Sequence, residues 1–252
     1  TLNVLLCLRG DTLVGVAPMM IRSDTKRGRA GEICFIGCPN DSSDYLDFII
    51  DSNTPEALDE LTDALREQLG PAGAIHLSHF PTHSPNYRAL LSRLEQTGAR
   101  FLVEDHQPAP CRKLDDEPAD RKAANKASLR RRYNYFRKNG ELSFHRCHEQ
   151  EEILGWMDEF FRQHVERRAM THAPSQFLDP RQQAFFRDFV GGMLAGGWLR
   201  FDVVLFNDRP LAFHLGFEYR GRFIWYKPTF DVSFRDRSPG EVLMKFLLED
   251  AI

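Results

Sequence analysis

The sequence predicts an α/β protein made of two units, each with a mixed sheet packed under helices. Three observations predict it. Strand-like and helix-like runs alternate along the 252 residues, as they do in layered α/β folds. Residues 105–120 are rich in Pro and Asp and read as a connection between two such series. A hairpin pattern also recurs: Leu8-Arg9-Gly10-Asp11-Thr12-Leu13-Val14-Gly15-Val16 parallels Leu205-Phe206-Asn207-Asp208-Arg209-Pro210-Leu211-Ala212-Phe213. A strand and then helix-forming sequence follow both copies, which reads as duplication of one unit. The expected boundaries are 1–110 for the first unit, 111–118 for the linker and 119–252 for the second.

In the first unit, Val4 to Leu8 and Leu13 to Ile21 are apolar runs around a Gly-Asp turn and predict a hairpin. Glu32 to Ile36 and Tyr45 to Ile50 predict two more strands. Thr54-Pro55-Glu56 predicts a helix start, with Thr54 as the cap and Pro55 at the first position. Leu58, Leu61, Leu65 and Leu69 then supply the apolar face at helical spacing. Ala74 to Leu77 predicts a short strand, Ser84-Pro85 a second helix ended by Gly98, and Arg100 to Glu104 a last strand.

In the second unit a basic helix is expected from about Ala119 to Lys138, stopped by Asn139-Gly140. Glu141 to His145 predicts a strand. Glu149 to Arg168 predicts an amphipathic helix, and Asp179-Pro180 caps another that ends at Gly196-Gly197. Trp198 to Phe206, Leu211 to Tyr219 and Arg222 to Phe230 predict three strands. Ser238-Pro239-Gly240 then opens a final helix.

The net charge of −3 and a pI near 6.3 give no global reason to expect nucleic acid as a partner. Twenty Phe residues point to aromatic-rich cores. Five cysteines cannot all pair, and a chain of this length does not need disulfides. They read as reduced thiols in a cytoplasmic protein. No apolar run approaches the roughly 20 residues of a membrane span. The chain opens inside a strand pattern and stops inside a helix pattern, so both ends read as cut.

The segment Arg235-Asp236-Arg237-Ser238-Pro239-Gly240-Glu241-Val242 carries the clearest chemistry. A helix N-terminus presents free N–H donors and about half a positive charge, which suits a pyrophosphate. Gly240 has no side chain to shield those amides, and Arg235 and Arg237 offer charge-assisted bonds to phosphate. On residues alone, a capped surface helix with solvated arginines is the simpler account. Glu241 favours that account, because its carboxylate competes for the same donors.

The order of hairpin, long third strand, Ser-Pro-Gly turn and helix resembles the core of the GNAT superfamily. More narrowly, the chain resembles the CelD/BcsL-type acetyltransferases, named for cellulose biosynthesis. The residues carrying this likeness are Leu129-Arg130-Arg131-Arg132, Gly140 before a strand, Phe177-Leu178-Asp179-Pro180, Asp208-Arg209-Pro210-Leu211-Ala212, and Tyr226 through Phe230-Asp231 to Ser238-Pro239-Gly240. The resemblance implies two tandem GNAT-like units, akin to the Fem-type aminoacyl ligases. It implies acetyl-CoA or another acyl-CoA as co-substrate, with its pyrophosphate held by Arg235, Arg237, Ser238, Gly240, Glu241 and Val242, mostly through backbone. It also implies an amine or hydroxyl acceptor on a sugar or cell-envelope precursor. Val242 departs from the family pattern, which has a small residue there, and the family continues with further strands beyond this segment.

Acyl transfer of this kind needs a base for one proton and an acid for the leaving thiolate. His214 on the third strand of the second unit is the candidate base, since its ordinary pKa lies near neutrality. Tyr226 is the candidate acid. Each has a structural alternative: a hydrogen-bonded core histidine and an amphipathic core tyrosine. The stretch 121–138 holds eight basic and no acidic residues, with Tyr133, Tyr135 and Phe136 interleaved. It is either a solvated helix face, with Asp115, Asp116, Glu117 and Asp120 upstream to neutralise it, or a phosphate-binding stripe. A tRNA-bound donor, as in the Fem-type ligases, would use such a stripe. No metal is expected, because Cys34 and Cys38, and His76, His79 and His83, lack the paired spacing of zinc ligands. An aminoacyl-tRNA-dependent transferase and a non-catalytic binding module remain open beside the acyl-CoA reading.

Overall fold

A computed structural model describes residues 1–22, 31–37, 43–69, 73–105, 108–114 and 118–252. Cys38, Asp115, Asp116 and Glu117 lie outside the described residues. The chain divides into two compact units, Thr1–Pro110 and Cys111–Ile252.

In the first unit, β1 (Leu2–Arg9) and β2 (Thr12–Arg22) form an antiparallel hairpin. The strand β3 (Glu32–Phe35) pairs antiparallel with β2 and parallel with β5 (Ala74–His76), so this sheet is mixed. A short β4 (Ile49–Ile50) also pairs with β2. Helix α1 (Ala57–Gln68) buries Leu58, Leu61 and Leu65, one helical turn apart, in a core with Val14, Met19 and Phe35. Helix α2 (Pro85–Gln96) begins at Ser84, whose hydroxyl accepts the Asn86 N–H at 3.1 Å.

Three local expectations are corrected here. Tyr45 to Phe48 is not a strand: Tyr45 sits at φ +56, and Asp47 instead takes the Phe48 N–H and the Ser84 hydroxyl. Those side-chain bonds offer the backbone an alternative to a ladder. Arg100 to Glu104 finds no strand partner among the described residues, and Phe101, Leu102 and Val103 are exposed. Helix α1 starts at Ala57 without a side-chain cap; Thr54 contributes its carbonyl to the Ala57 N–H instead.

The second unit runs α3 (Pro118–Ala124), α4 (Ala127–Asn139), β6 (Leu142–Cys147), α5 (Gln150–Ala169), α6 (Pro180–Ala195), β7 (Leu199–Phe206), β8 (Arg209–Tyr219), β9 (Arg222–Phe230) and α7 (Pro239–Ala251). The single basic helix expected from 119 to 138 is two helices. Asn125 donates its side-chain amide to the Arg121 carbonyl and accepts from Lys245 Nζ at 3.1 Å, which ends α3, and Lys126 restarts the chain.

The sheet order is β6-β7-β8-β9, antiparallel throughout rather than mixed. Two helices lie between β6 and β7, so the chain returns to the end where β6 stopped and must run back. Helices α5 and α6 cover one face through Phe160, Phe177, Phe186, Phe201 and Phe213, the aromatic core the composition anticipates. Helices α4 and α7 cover the other through Phe136, Val204, Ala212, Val242 and Leu243.

The repeated hairpin is the same object twice. Leu8 pairs with Leu13 and Cys7 with Gly15; Leu205 pairs with Pro210 and Val204 with Ala212. Each copy thus carries a two-residue turn and a bulge at the same aligned position. Gly10 holds φ +58 in the first turn, while Asn207 and Asp208 hold φ +50 and +61 in the second.

Candidate functional site

The antiparallel order brings the end of β9, the end of α5 and the start of α7 to one edge of the second unit. A 3-10 turn (Val232–Arg237) links β9 to α7, fixed at its start by Asp231, which accepts from the Ser233 N–H and hydroxyl. Ser238 then adopts the left-handed conformation at φ +53 and makes no side-chain cap bond. The expected Ser238 cap is therefore corrected: the tight 3-10 turn forces Ser238 to φ > 0, where its hydroxyl does not reach the first-turn amides. Pro239 at the first helical position still sets the helix direction.

The first turn of α7 is not closed by its own side chains. Glu241 carries the carboxylate that competes for its donors, yet it lies 3.8 Å from Arg132 Nε of α4, and its Oε2 accepts no hydrogen bond. Val242 is wholly buried in the core shared with α4, so its side chain points away from the amides. Gly240 is half-buried; a Cβ there would meet only the Phe230 ring, at 3.7 Å. Arg235 and Arg237 are exposed beside the turn. The Arg237 guanidinium stacks 4.4 Å over Tyr135, and Arg235 Nη1 lies 3.8 Å from Met170 Sδ.

His214 lies elsewhere. Strand alternation puts Phe213 and Leu215 on the α5/α6 face and His214 on the α4/α7 face. There it is 0% exposed, its Nδ1 3.1 Å from Asp202 Oδ2, stacked on Trp225 at 5.1 Å. Burial pushes its pKa below the usual range, against the pull of Asp202. The same network holds Arg200, also fully buried, with Nε 2.9 Å from both Asp202 oxygens, Nη1 2.6 Å from Glu218 and Nη2 2.6 Å from Asp250 near the end of α7. Burial opposes the Arg200 charge, but the three carboxylates hold its pKa above the ordinary value. In this position His214 orients a core network and reaches no solvent. Glu218 in turn accepts from Arg146 at 2.6 Å.

Tyr226 is half-buried on β9, packed against Phe217 at 5.3 Å with Lys227 Nζ over its ring at 4.5 Å. The β8–β9 register shifts between Leu215 and Phe217, so Trp225 and Tyr226 share one position opposite Gly216. Gly216 is required by close approach: a Cβ there would stand 2.4 Å from the His214 ring and 2.4 Å from the Ile224 carbonyl. Gly216→Ala is expected to cost about 1–3 kcal/mol by overpacking a ring that Trp225 and Asp202 prevent from moving. Urea unfolding of the two proteins measures it.

The structure brings Arg235, Arg237, Ser238, Gly240, Glu241 and Val242 together and leaves His214 and Tyr226 apart from them, on opposite faces of the sheet. Sequence reasoning passed over Arg167 and Arg168 at the end of α5 and over Arg200 and Asp202 in β7. The pair Arg200 and Asp202 had a signal, two charges alternating within an apolar strand run. No group of three or more His, Cys, Asp or Glu that could hold a metal occurs among the described residues. None of the described helices is long and apolar enough to cross a membrane. The four described cysteines are free thiols.

The second unit is thus a four-stranded antiparallel sheet between two helix pairs, with a turn and helix opening after its last strand. The family described as Acetyltransferase (GNAT) domain matches residues 123–252, and the chain belongs to it. Over its whole length the chain is similar to a solved structure, the crystal structure of FemX, at a TM-score of 0.59 and 14% identity. That likeness covers 100% of this chain and 76% of the other, and at this identity it shows the fold: two tandem GNAT-like units. A search of curated proteins finds no match to the chain.

Proposed function

We propose that this protein transfers an acyl group from acyl-CoA to an amine or hydroxyl acceptor, with the CoA pyrophosphate seated on the first turn of α7. One observation carries the reading: in a GNAT domain, the start of α7 is unobstructed by its own Glu241 and Val242. Glu241 faces Arg132 and Val242 faces the core. Arg235, 3.7 Å from the exposed Asp236 carboxylate, and Arg237, stacked on Tyr135, stand beside the turn as exposed cations for phosphate oxygens. The CelD/BcsL resemblance supports an acceptor on a sugar or cell-envelope precursor. Tyr226, half-buried at the β9 bulge, is the group proposed to protonate the leaving thiolate. His214 in its buried pair supports the sheet beneath.

Isothermal titration with CoA and acetyl-CoA tests the reading. Micromolar binding is expected. Gly240→Glu is expected to weaken it at least about tenfold, or about 1.4 kcal/mol, by adding a carboxylate beside the phosphates. The fold tolerates the change, since the new Cβ meets Phe230 at ordinary contact distance. No binding at millimolar CoA would sink the proposal.

A specific observation favours a second reading, transfer from an aminoacyl-tRNA. The outer face of α4 forms a groove of about 380 Å³ lined by Ala127, Arg130, Arg131, Asn134, Tyr135 and Lys138. Tight tRNA binding that weakens steeply with salt would support it.

A further inference from the structure

The end of α5 holds a concentration of positive charge that the proposed CoA site does not use. Arg167 and Arg168 are half-buried, and the Nε of each is buried with no hydrogen-bond partner. Neither makes an ion pair among the described residues. The contrast lies on the same helix: Arg162 is held by both Glu159 and Glu166. Lys227 of β9 is buried nearby, its Nζ 3.2 Å from Gln176 Oε1. The positive charge of all three is felt at His164, which is 5% exposed with Nδ1 2.8 Å from the Ser175 hydroxyl. On the same face of β9, two residues beyond Lys227, Thr229 is 0% exposed and its hydroxyl has no partner. The cluster adjoins α7: the Arg167 guanidinium lies 5.8 Å from the Phe230 ring centroid, and that ring also lines Gly240.

Half-buried guanidinium groups without a counter-charge are costly in a free protein and are relieved by a bound anion. Two arginines on adjacent residues and a lysine offer more positive charge and more donors than one carboxylate can use. A phosphate dianion matches them.

We infer that Arg167, Arg168 and Lys227, with the Thr229 hydroxyl, form a subsite for a phosphate group carried by the acceptor. The inference rests on the proposed acyl transfer, and it deepens it by naming a phosphorylated acceptor, such as a sugar phosphate or a sugar linked through a diphosphate. The phosphate has two possible sources, the acceptor or CoA itself, and the experiment separates them.

The full chain, saturated with CoA, is titrated calorimetrically with inorganic pyrophosphate, then compared with the double variant R167Q/R168Q. Pyrophosphate is expected to bind beside CoA and to bind at least about tenfold more weakly to the double variant. CoA affinity is expected to be unchanged in that variant, and R167K/R168K, which keeps the charge, is expected to retain most pyrophosphate binding. Thermal melting checks that each variant is folded. Exclusion of pyrophosphate by CoA, loss of CoA affinity in R167Q/R168Q, or pyrophosphate binding untouched by that variant would each overturn the inference. Gly240→Glu separates the two readings: it is expected to weaken CoA at least about tenfold and keep pyrophosphate. If CoA fails to bind at all, the pyrophosphate titration of Gly240→Glu still reads the arginines alone.

Discussion

Arg200→Met is expected to destabilise the second unit by about 3–5 kcal/mol, because it strands buried charge. Arg200 and Asp202 are both fully buried, and the guanidinium also serves Glu218 and Asp250. Methionine fills much of the volume but leaves the Asp202 carboxylate with only His214 beside it. The effect reaches the site by a defined route. Asp250 near the end of α7 is held by Arg200 and, at 3.8 Å, by Arg146. Loosening that end frees α7 to shift, so CoA binding is expected to weaken together with stability. Chemical denaturation followed by Trp fluorescence measures the first effect and titration the second. Replacing Arg200 and Asp202 together by apolar residues is expected to recover part of the loss, since no buried carboxylate then remains unpaired. A single Arg200→Met with unchanged unfolding would contradict the network described for this face.

Acidification is expected to unfold the second unit early, and His164→Asn to blunt that response. Burial first, then Arg167, Lys227 and Arg168, push the His164 pKa down to about 3 from an ordinary 6.5. The folded-state value is depressed, so the native state stays unprotonated while the unfolded chain takes up a proton below pH 6.5. Stability is thus fully present above pH 6.5 and is lost as pH falls from there toward 3. At pH 4.5 the loss from His164 alone is up to about 2–3 kcal/mol, at about 1.4 kcal/mol per pKa unit. His214, depressed by burial, adds in the same direction. Denaturant midpoints at pH 7.5 and pH 4.5 for the natural chain and His164→Asn check it. An equal drop in both proteins would remove His164 from the account. Asparagine retains a group able to bond Ser175, so the substitution is expected to be mild at neutral pH.

The same two histidines show where sequence reading runs out. His214 stands on a strand with apolar neighbours, and nothing local states whether its face meets solvent or a helix. The answer came from Arg200 and Asp202 one strand away and Asp250 at the end of α7, up to 50 residues apart in the chain. His164 drew no notice on an amphipathic helix: Arg167 and Arg168 follow it on the same face of α5, but Lys227 joins them, and burial closes over the ring, only when β9 packs against α5. Tyr45 to Phe48 and Arg100 to Glu104 looked like strands from composition, but side-chain bonds to Asp47 and the lack of a pairing strand among the described residues decided otherwise.

By itself the sequence determined the layered α/β class, the two copies of the hairpin with their two-residue turns, nearly every helix and strand of the second unit, and the Ser-Pro-Gly start of α7. These follow from short-range rules: apolar periodicity, turn residues and the fixed φ of proline act within a few residues. Only the tertiary structure decided that Ser238 is left-handed, that Glu241 turns toward Arg132, that His214 is sealed in an ion network, and that Arg167 and Arg168 have no ion-pair partner among the described residues. Each of these is a matter of which charges lie within a few ångströms across elements. Electrostatic pairing depends on separation in space, and one-dimensional spacing carries no record of it.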